Sequence, residues 1–197
     1  IVADVVPYEE TKIRILNGGH TGLAYLAALA GHDTFDQAMQ DQEIRIHFDA
    51  WERNEVLIGL DTNIPFDTVA YLGEIARRFE NSGIADNLER ICMDGYSKMS
   101  IYIRPTLSAC LKLGVLPKAG FDCIASWVVY ARCVQEGVCE VPYHEPLWDR
   151  VEPLVAVGNE TRLANDTELW GDLPNRYSEF VPALVTAIEE MDKKWRA

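Results

Sequence analysis

Apolar residues recur at helical rather than alternating spacing along almost the whole chain, so successive segments read as amphipathic helices parted by short polar breaks. A helix over residues 8–30 opens just after Pro7, and Asp33 or Thr34 caps a short one running through Met39. Residues 44–60 form the next, followed by a break over Asp61-Thr62-Asn63-Ile64-Pro65 and a helix from Pro65 or Phe66 to Phe79. Asn81-Ser82-Gly83 reads as a turn, and the pattern then persists over 85–103 until Pro105 forces a break or kink before a helix ending near Gly114. Residues 120–136 form a strongly apolar helix closed by Gly137; helices over 147–157 and 177–195 complete a set of roughly eight to ten. No convincing strand alternation, repeat or low-complexity tract interrupts them. The pattern predicts an all-α fold.

Composition narrows the setting. A formal net charge of -13 offers no basic patch to release counterions from nucleic acid and none for an anionic membrane surface. No apolar run reaches the length of a membrane span and no signal segment opens the chain, which points to a cytoplasmic protein. Cys92, Cys110, Cys123, Cys133 and Cys139 are odd in number and lack zinc or redox spacing, so they read as reduced thiols. Because the chain starts at Ile1 and runs almost at once into its most polar helical segment, it looks like a piece of a larger protein.

That segment is Lys12-Ile13-Arg14-Ile15-Leu16-Asn17-Gly18-Gly19-His20. With Lys12 at 0°, an ideal helix puts His20 at about 80° and Asn17 at about 140°, so one ligand could touch all three. The same residues also fit a helix whose lysine snorkels, whose asparagine caps a turn and whose histidine is a satisfied core residue. A second constellation, Arg90, Asp94 and Lys98, falls at i, i+4 steps on the predicted 85–103 helix and would share one stripe. It reads equally as a solvated ion-pair ladder. Gly18, Gly19 and Gly95 are costly inside helices, and each implies close approach either of another element or of a ligand.

The run Pro7-Tyr8-Glu9-Glu10-Thr11-Lys12-Ile13-Arg14-Ile15-Leu16-Asn17-Gly18-Gly19-His20 resembles the signature of the polyol-specific long-chain dehydrogenases and reductases, a family that includes mannitol 2-dehydrogenase, D-arabinitol 4-dehydrogenase and the fructuronate and tagaturonate reductases. Arg90-Ile91-Cys92-Met93-Asp94-Gly95-Tyr96-Ser97-Lys98 resembles its second signature. Arg78-Phe79-Glu80-Asn81, Arg104-Pro105-Thr106-Leu107 and Ala125-Ser126-Trp127 fit too, so the likeness spans nearly the whole chain.

The resemblance implies that residues 1–197 are the helical C-terminal domain, with a fold like the C-terminal part of 6-phosphogluconate dehydrogenase. It also implies a preceding Rossmann domain, absent here, that binds NAD; the chain itself has no Gly-x-Gly-x-x-Gly after a strand. The fragment alone is then expected to be inactive. Metal independence is implied as well, and no cluster with ligand spacing speaks against it. Lys12 would be the general base taking the hydroxyl proton, aided by burial and by nearby Arg14, and Asn17 would donate to the developing alkoxide. His20, Arg90 and Lys98 match positions that bind substrate hydroxyls, and Arg14 and Asp94 would support them from behind. The oxidised substrate would be a sugar alcohol, and the enzyme a monomer.

Counting Lys12, His20, Arg90 and Lys98 as cations leaves a hexuronate carboxylate open as an alternative substrate, making the enzyme a fructuronate or tagaturonate reductase. The stretches Met93-Asp94-Gly95-Tyr96-Ser97-Lys98, Ile103-Arg104-Pro105-Thr106-Leu107 and Tyr143-His144-Glu145-Pro146 look more like the D-arabinitol and D-mannitol dehydrogenases. An alternative of another class is a non-catalytic helical module for binding or assembly.

Overall fold

In the computed structural model, which describes residues 4–60 and 63–196, every regular element is helical, as the apolar spacing predicts. Helix α1 (Val6–Thr11), with Pro7 in its first turn, runs through a π turn (Lys12–Asn17) into α2 (Gly18–Leu29). Helix α3 (Phe35–Gln40) follows, then α4 (Gln42–Trp51), whose first N–H groups are capped by Asp41. A second π turn (Glu52–Val56) and a 3-10 turn (Leu57–Gly59) end that arm. Asp61 and Thr62 of the predicted break lie outside the described residues. Helix α5 (Thr68–Phe79) begins later than expected from Pro65 or Phe66, because the Asp67 carboxylate accepts from Val69 and Ala70 N–H at 2.9 Å and fixes the start there.

The predicted 85–103 helix is broken. It comprises α6 (Leu88–Cys92), a reversal at Met93 and Asp94, α7 (Gly95–Lys98) and a third π turn (Met99–Ile103), which leads into α8 (Arg104–Lys112). Asp94 sits in the left-handed region (φ 55°, ψ 48°), which a short polar side chain tolerates, and its N–H donates to the His144 carbonyl at 3.0 Å instead of continuing the helix. Helix α9 (Lys118–Gln135) is closed by Gly137 at φ 69°, as predicted. Next come α10 (Trp148–Val155), α11 (Glu160–Ala164), α12 (Thr167–Trp170), α13 (Leu173–Arg176) and α14 (Phe180–Arg196). The three short helices over 160–176 lack a readable period. Tertiary burial holds them: Trp170 is fully buried and its indole N–H donates to the Leu163 carbonyl at 2.8 Å.

Helix α9 is apolar all round because it is enclosed, packing against α2 on one side and α14 on the other. Tyr25 of α2 lies against Tyr130, and Phe121 against Phe180 of α14, with ring centroids 5.4 and 5.5 Å apart. The five cysteines are unpaired thiols. No described helix is long and apolar enough to cross a membrane.

Candidate active site

The first polar segment coincides with the first π turn. There the Gly18 N–H reaches back five residues to the Ile13 carbonyl, so more residues fit in each turn than in an α-helix. The 140° separation between Lys12 and Asn17 counted on an ideal helix is therefore too large, and the turn carries Asn17 round toward Lys12. Lys12 is exposed and Asn17 half-buried, and among the described residues neither side chain has a hydrogen-bond or ion-pair partner. Lys12 is thus not buried by this chain, contrary to expectation. Arg14 is oppositely disposed: it is buried and its guanidinium donates to Thr106 Oγ1 at 2.8 Å, the Gly59 carbonyl at 3.3 Å and Glu10 at 3.4 Å. It bolts the π turn to α8 and the 3-10 turn, which leaves Lys12 and Asn17 on the open side.

His20 stacks on Phe79 at 4.2 Å and meets the edge of Phe35 at 4.8 Å. Burial pushes its pKa down to about 4, with Arg90, Arg78 and Lys98 adding to the fall and Asp86 opposing it. The ring is neutral at ordinary pH, so His20 does not belong in the count of cations. Its Nε2 faces Asp86 Oδ2 across 3.7 Å, and the other oxygen of Asp86 takes the Arg90 guanidinium at 2.6 Å. Asp86 thereby links the two signatures. The chain places it there by pairing two loops: Phe35 N–H donates to the Asp86 carbonyl and Leu88 N–H to the Asp33 carbonyl, both at 2.9 Å, around an isolated bridge between Thr34 and Asn87. Asp86 escaped the sequence reading, although it stands four residues before Arg90 and so was available as its partner.

The expected Arg90, Asp94, Lys98 stripe is not formed, because the reversal at Asp94 breaks the helix that would carry it. Arg90 is exposed and pairs with Asp86, whereas Lys98 is half-buried and its ammonium donates to the Ile91 carbonyl at 2.6 Å. Burial lowers the Lys98 pKa from the usual lysine range, opposed in part by Cys92 and Asp94. His20, Asp86, Arg90 and Lys98 nonetheless form one electrostatic group at the α2–α6 contact.

Gly19 and Gly95 answer to packing, whereas a Cβ on Gly18 would meet only ordinary contacts, the nearest at 3.5 Å. A Cβ on Gly19 would lie 2.6 Å from Glu52 Oε1, and one on Gly22 would lie 3.0 Å from Trp51 Nε1, so α2 meets α4 and its π turn across a glycine face. At Gly95 a Cβ would strike the Trp127 indole and come 2.6 Å from the Tyr143 hydroxyl. Trp127 Nε1 donates to that hydroxyl, and the hydroxyl to Glu145, both at 2.7 Å. Neither neighbour can yield without losing a bond. Gly95→Ala is accordingly expected to destabilise the protein by about 2–3 kcal/mol in urea unfolding. A change under about 0.5 kcal/mol would return Gly95 to a role in ligand approach.

Among the described residues no group of three or more His, Cys, Asp or Glu side chains is placed to hold a metal ion. A cavity of about 640 Å³, lined by Leu26, His47, Glu55, Asp122 and Met191 among others, contains none of the seven residues singled out in the sequence.

The family described as the mannitol dehydrogenase C-terminal domain matches residues 4–192. The chain is 32% identical to D-arabinitol 4-dehydrogenase of Ralstonia nicotianae, covering 100% of this chain and 42% of that protein. It is 32% identical to altronate oxidoreductase of Klebsiella pneumoniae, covering 99% and 37%. The solved ternary complex of Pseudomonas fluorescens mannitol 2-dehydrogenase with NAD and D-mannitol superimposes with a TM-score of 0.86 at 30% identity, over 99% of this chain and 39% of that one. The chain thus spans about two fifths of the length of the curated relatives it matches.

Proposed function

The chain belongs to the family of mannitol dehydrogenase C-terminal domains, and on that premise we propose that it is the substrate-binding, proton-transferring part of a two-domain, NAD-dependent polyol dehydrogenase. Its substrate is a sugar alcohol of the D-arabinitol or D-mannitol type, oxidised at a secondary alcohol to the ketose. The observation that carries this reading is the π turn, which commits Arg14 inward and leaves the side chains of Lys12 and Asn17 without partners among the described residues.

The described residues do not fit a dinucleotide site of the usual kind: they contain no strand, hence no strand-to-helix turn for a pyrophosphate. NAD would be held by a preceding Rossmann domain and would supply the hydride acceptor for the carbinol carbon. The residues of this chain act on the oxygen side. The Lys12 amine takes the hydroxyl proton while the O–H electrons form the second C–O bond of the carbonyl. Asn17 donates to the oxygen as charge develops on it, which is worth about 10²- to 10³-fold in rate for such a donor. His20, neutral, and Lys98 hydrogen-bond the remaining hydroxyls, and Arg90 reaches them from its pair with Asp86; Asp94, at the reversal, and Arg14 fix where these groups stand.

A hexuronate reductase is the second reading, favoured by the likeness to altronate oxidoreductase. The electrostatics support it less. With His20 neutral and Arg90 already compensated by Asp86, two of the four cations counted for a carboxylate are withdrawn, leaving Lys12 and Lys98. A carboxylate would gain about 1.5–3 kcal/mol per charge-assisted bond, against about 1 kcal/mol for a hydroxyl. In the full-length enzyme, kcat/KM for D-arabinitol or D-mannitol with NAD should exceed that for fructuronate or tagaturonate with NADH by about tenfold or more. Arg90→Ala should raise KM for the polyol by about tenfold or less. Steady-state kinetics on the four substrates checks both, and a uronate ranking first would give the site to the second reading.

A further inference from the structure

Glu52 is 0% exposed, and among the described residues neither of its carboxyl oxygens has a hydrogen-bond partner. Its Oε1 lies 2.6 Å from the point a Cβ on Gly19 would occupy, and Phe79 lies 3.4 Å from that same point. The next residue, His20, stacks on that phenylalanine. Glu55, on the same π turn, provides the contrast. It is also buried, but accepts from the N–H groups of Ala119 and Gly120 at 2.7 and 2.8 Å at the start of α9. Glu55 anchors a helix. Glu52 makes no such bond, and an apolar side chain of similar size would fill its place at lower cost.

No neighbouring cation accounts for it. Arg14, on the first π turn, is committed to Thr106, Gly59 and Glu10, and Arg53, on Glu52's own turn, is exposed and bonded to Asp49. From α2 comes Gly19 and from α5 comes Phe79, neither of them charged. A carboxylate ion in such a place is strongly disfavoured, whereas a neutral acid fits.

We propose that Glu52 is a positioning residue, a neutral carboxylic acid lodged behind Gly19 that fixes the seat of His20, and that its ionisation unseats it. The catalytic consequence rests on the alcohol-oxidation reading above. Burial holds the carboxyl well above the usual carboxylate range, and Arg14 and Arg53 draw it back only in part. A raised folded-state value means the folded chain binds this proton more tightly than the unfolded one. The stabilisation is complete at acid pH and is lost as pH rises from the ordinary value of 4.5 through the raised one.

The test compares wild type, Glu52→Gln and Glu52→Ala in the full-length enzyme. Glutamine keeps the shape and cannot ionise; alanine empties the space. At pH about 7, Glu52→Gln should keep kcat/KM within about twofold of wild type, while Glu52→Ala raises KM for the polyol about tenfold. Toward pH about 10 the wild type should lose kcat/KM relative to Glu52→Gln by about tenfold, carried by KM. Proton transfer through Lys12 is common to both proteins and cancels in the ratio. Two readouts need no turnover: the thermal midpoint of Glu52→Gln should rise relative to wild type with pH, and amide exchange over residues 17–22 should quicken with pH in wild type beyond Glu52→Gln. An alkaline rise in KM shared equally by the two proteins, or a midpoint difference that stays constant across pH, overturns the proposal. Absence of any turnover in wild type would remove the activity reading alone, since the midpoint and exchange comparisons still decide Glu52. If Glu52→Ala does not fold, the glutamine comparison suffices.

Discussion

Replacement of Lys12 by alanine in the full-length enzyme is expected to slow polyol oxidation by about 10²- to 10⁴-fold, the range carried by a positioned general base. The loss should fall on kcat and kcat/KM together, with NAD affinity unchanged, because proton removal belongs to the transition state and the described residues carry no dinucleotide fold. An added primary amine should restore part of the rate. Lys12 is singled out by what surrounds it: Arg14, two residues on, spends its guanidinium on three protein oxygens, while Lys12 is exposed and unpartnered among the described residues. Pre-steady-state kinetics would give the hydride-transfer step directly. Near wild-type turnover in the variant would move the base to another residue.

The largest effect expected on stability is at Arg132, on the central helix α9. Its side chain is 3% exposed and joins four segments: Nε donates to the Val155 carbonyl at 2.6 Å and Nη2 to the Ala156 carbonyl at 3.3 Å, while its ion pairs run to Glu160 at 2.7 Å and Asp192 at 2.9 Å. Arg132→Met retains the stem and removes the charge, leaving two partly buried carboxylates and two carbonyls each short of one donor, with the remaining bonds to Asp192 from Arg196 and to Glu160 from Gly158 only in part replacing it. The loss should be about 3–5 kcal/mol in urea unfolding at neutral pH. Burial raises both carboxyls, yet the bonds they accept, from Arg132 among others, leave each below its usual range. Depressed carboxyls stabilise the fold above their unfolded values, and that contribution disappears as pH falls through their folded ones. The gap between variant and wild type should therefore narrow in acid. A gap independent of pH would mean that packing of the stem, not charge, is what Arg132 supplies.

How much of this was readable beforehand differs from residue to residue. Helix α9 was plain from its unbroken apolar run and Gly137, since both causes lie within the segment itself. The start of α5 was misplaced by two or three residues because Pro65 draws the eye, while the Asp67 carboxylate, bonded to the two N–H groups after it, makes the real cap. The break at Met93 and Asp94 was hidden because the apolar period continues across it; what breaks the helix is a bond to the His144 carbonyl fifty residues away. The helices over 160–176 were invisible for the related reason that burial, not propensity, forms them.

The sequence by itself determined the all-helical class, the family and the two signature segments, because helical period, breakers and motif spacing are properties of neighbours along the chain. The tertiary structure alone decided which members of those segments are free and which are spent. Arg14 is fixed by Thr106, 92 positions away, and Gly95 is required by a tryptophan and a tyrosine on other elements. His20 is neutral because Phe35 and Phe79 close over it, and it faces Asp86 because a loop pairing brings that aspartate alongside. Charge state and hydrogen-bond commitment depend on desolvation and on partners, and both are supplied by residues far away in sequence.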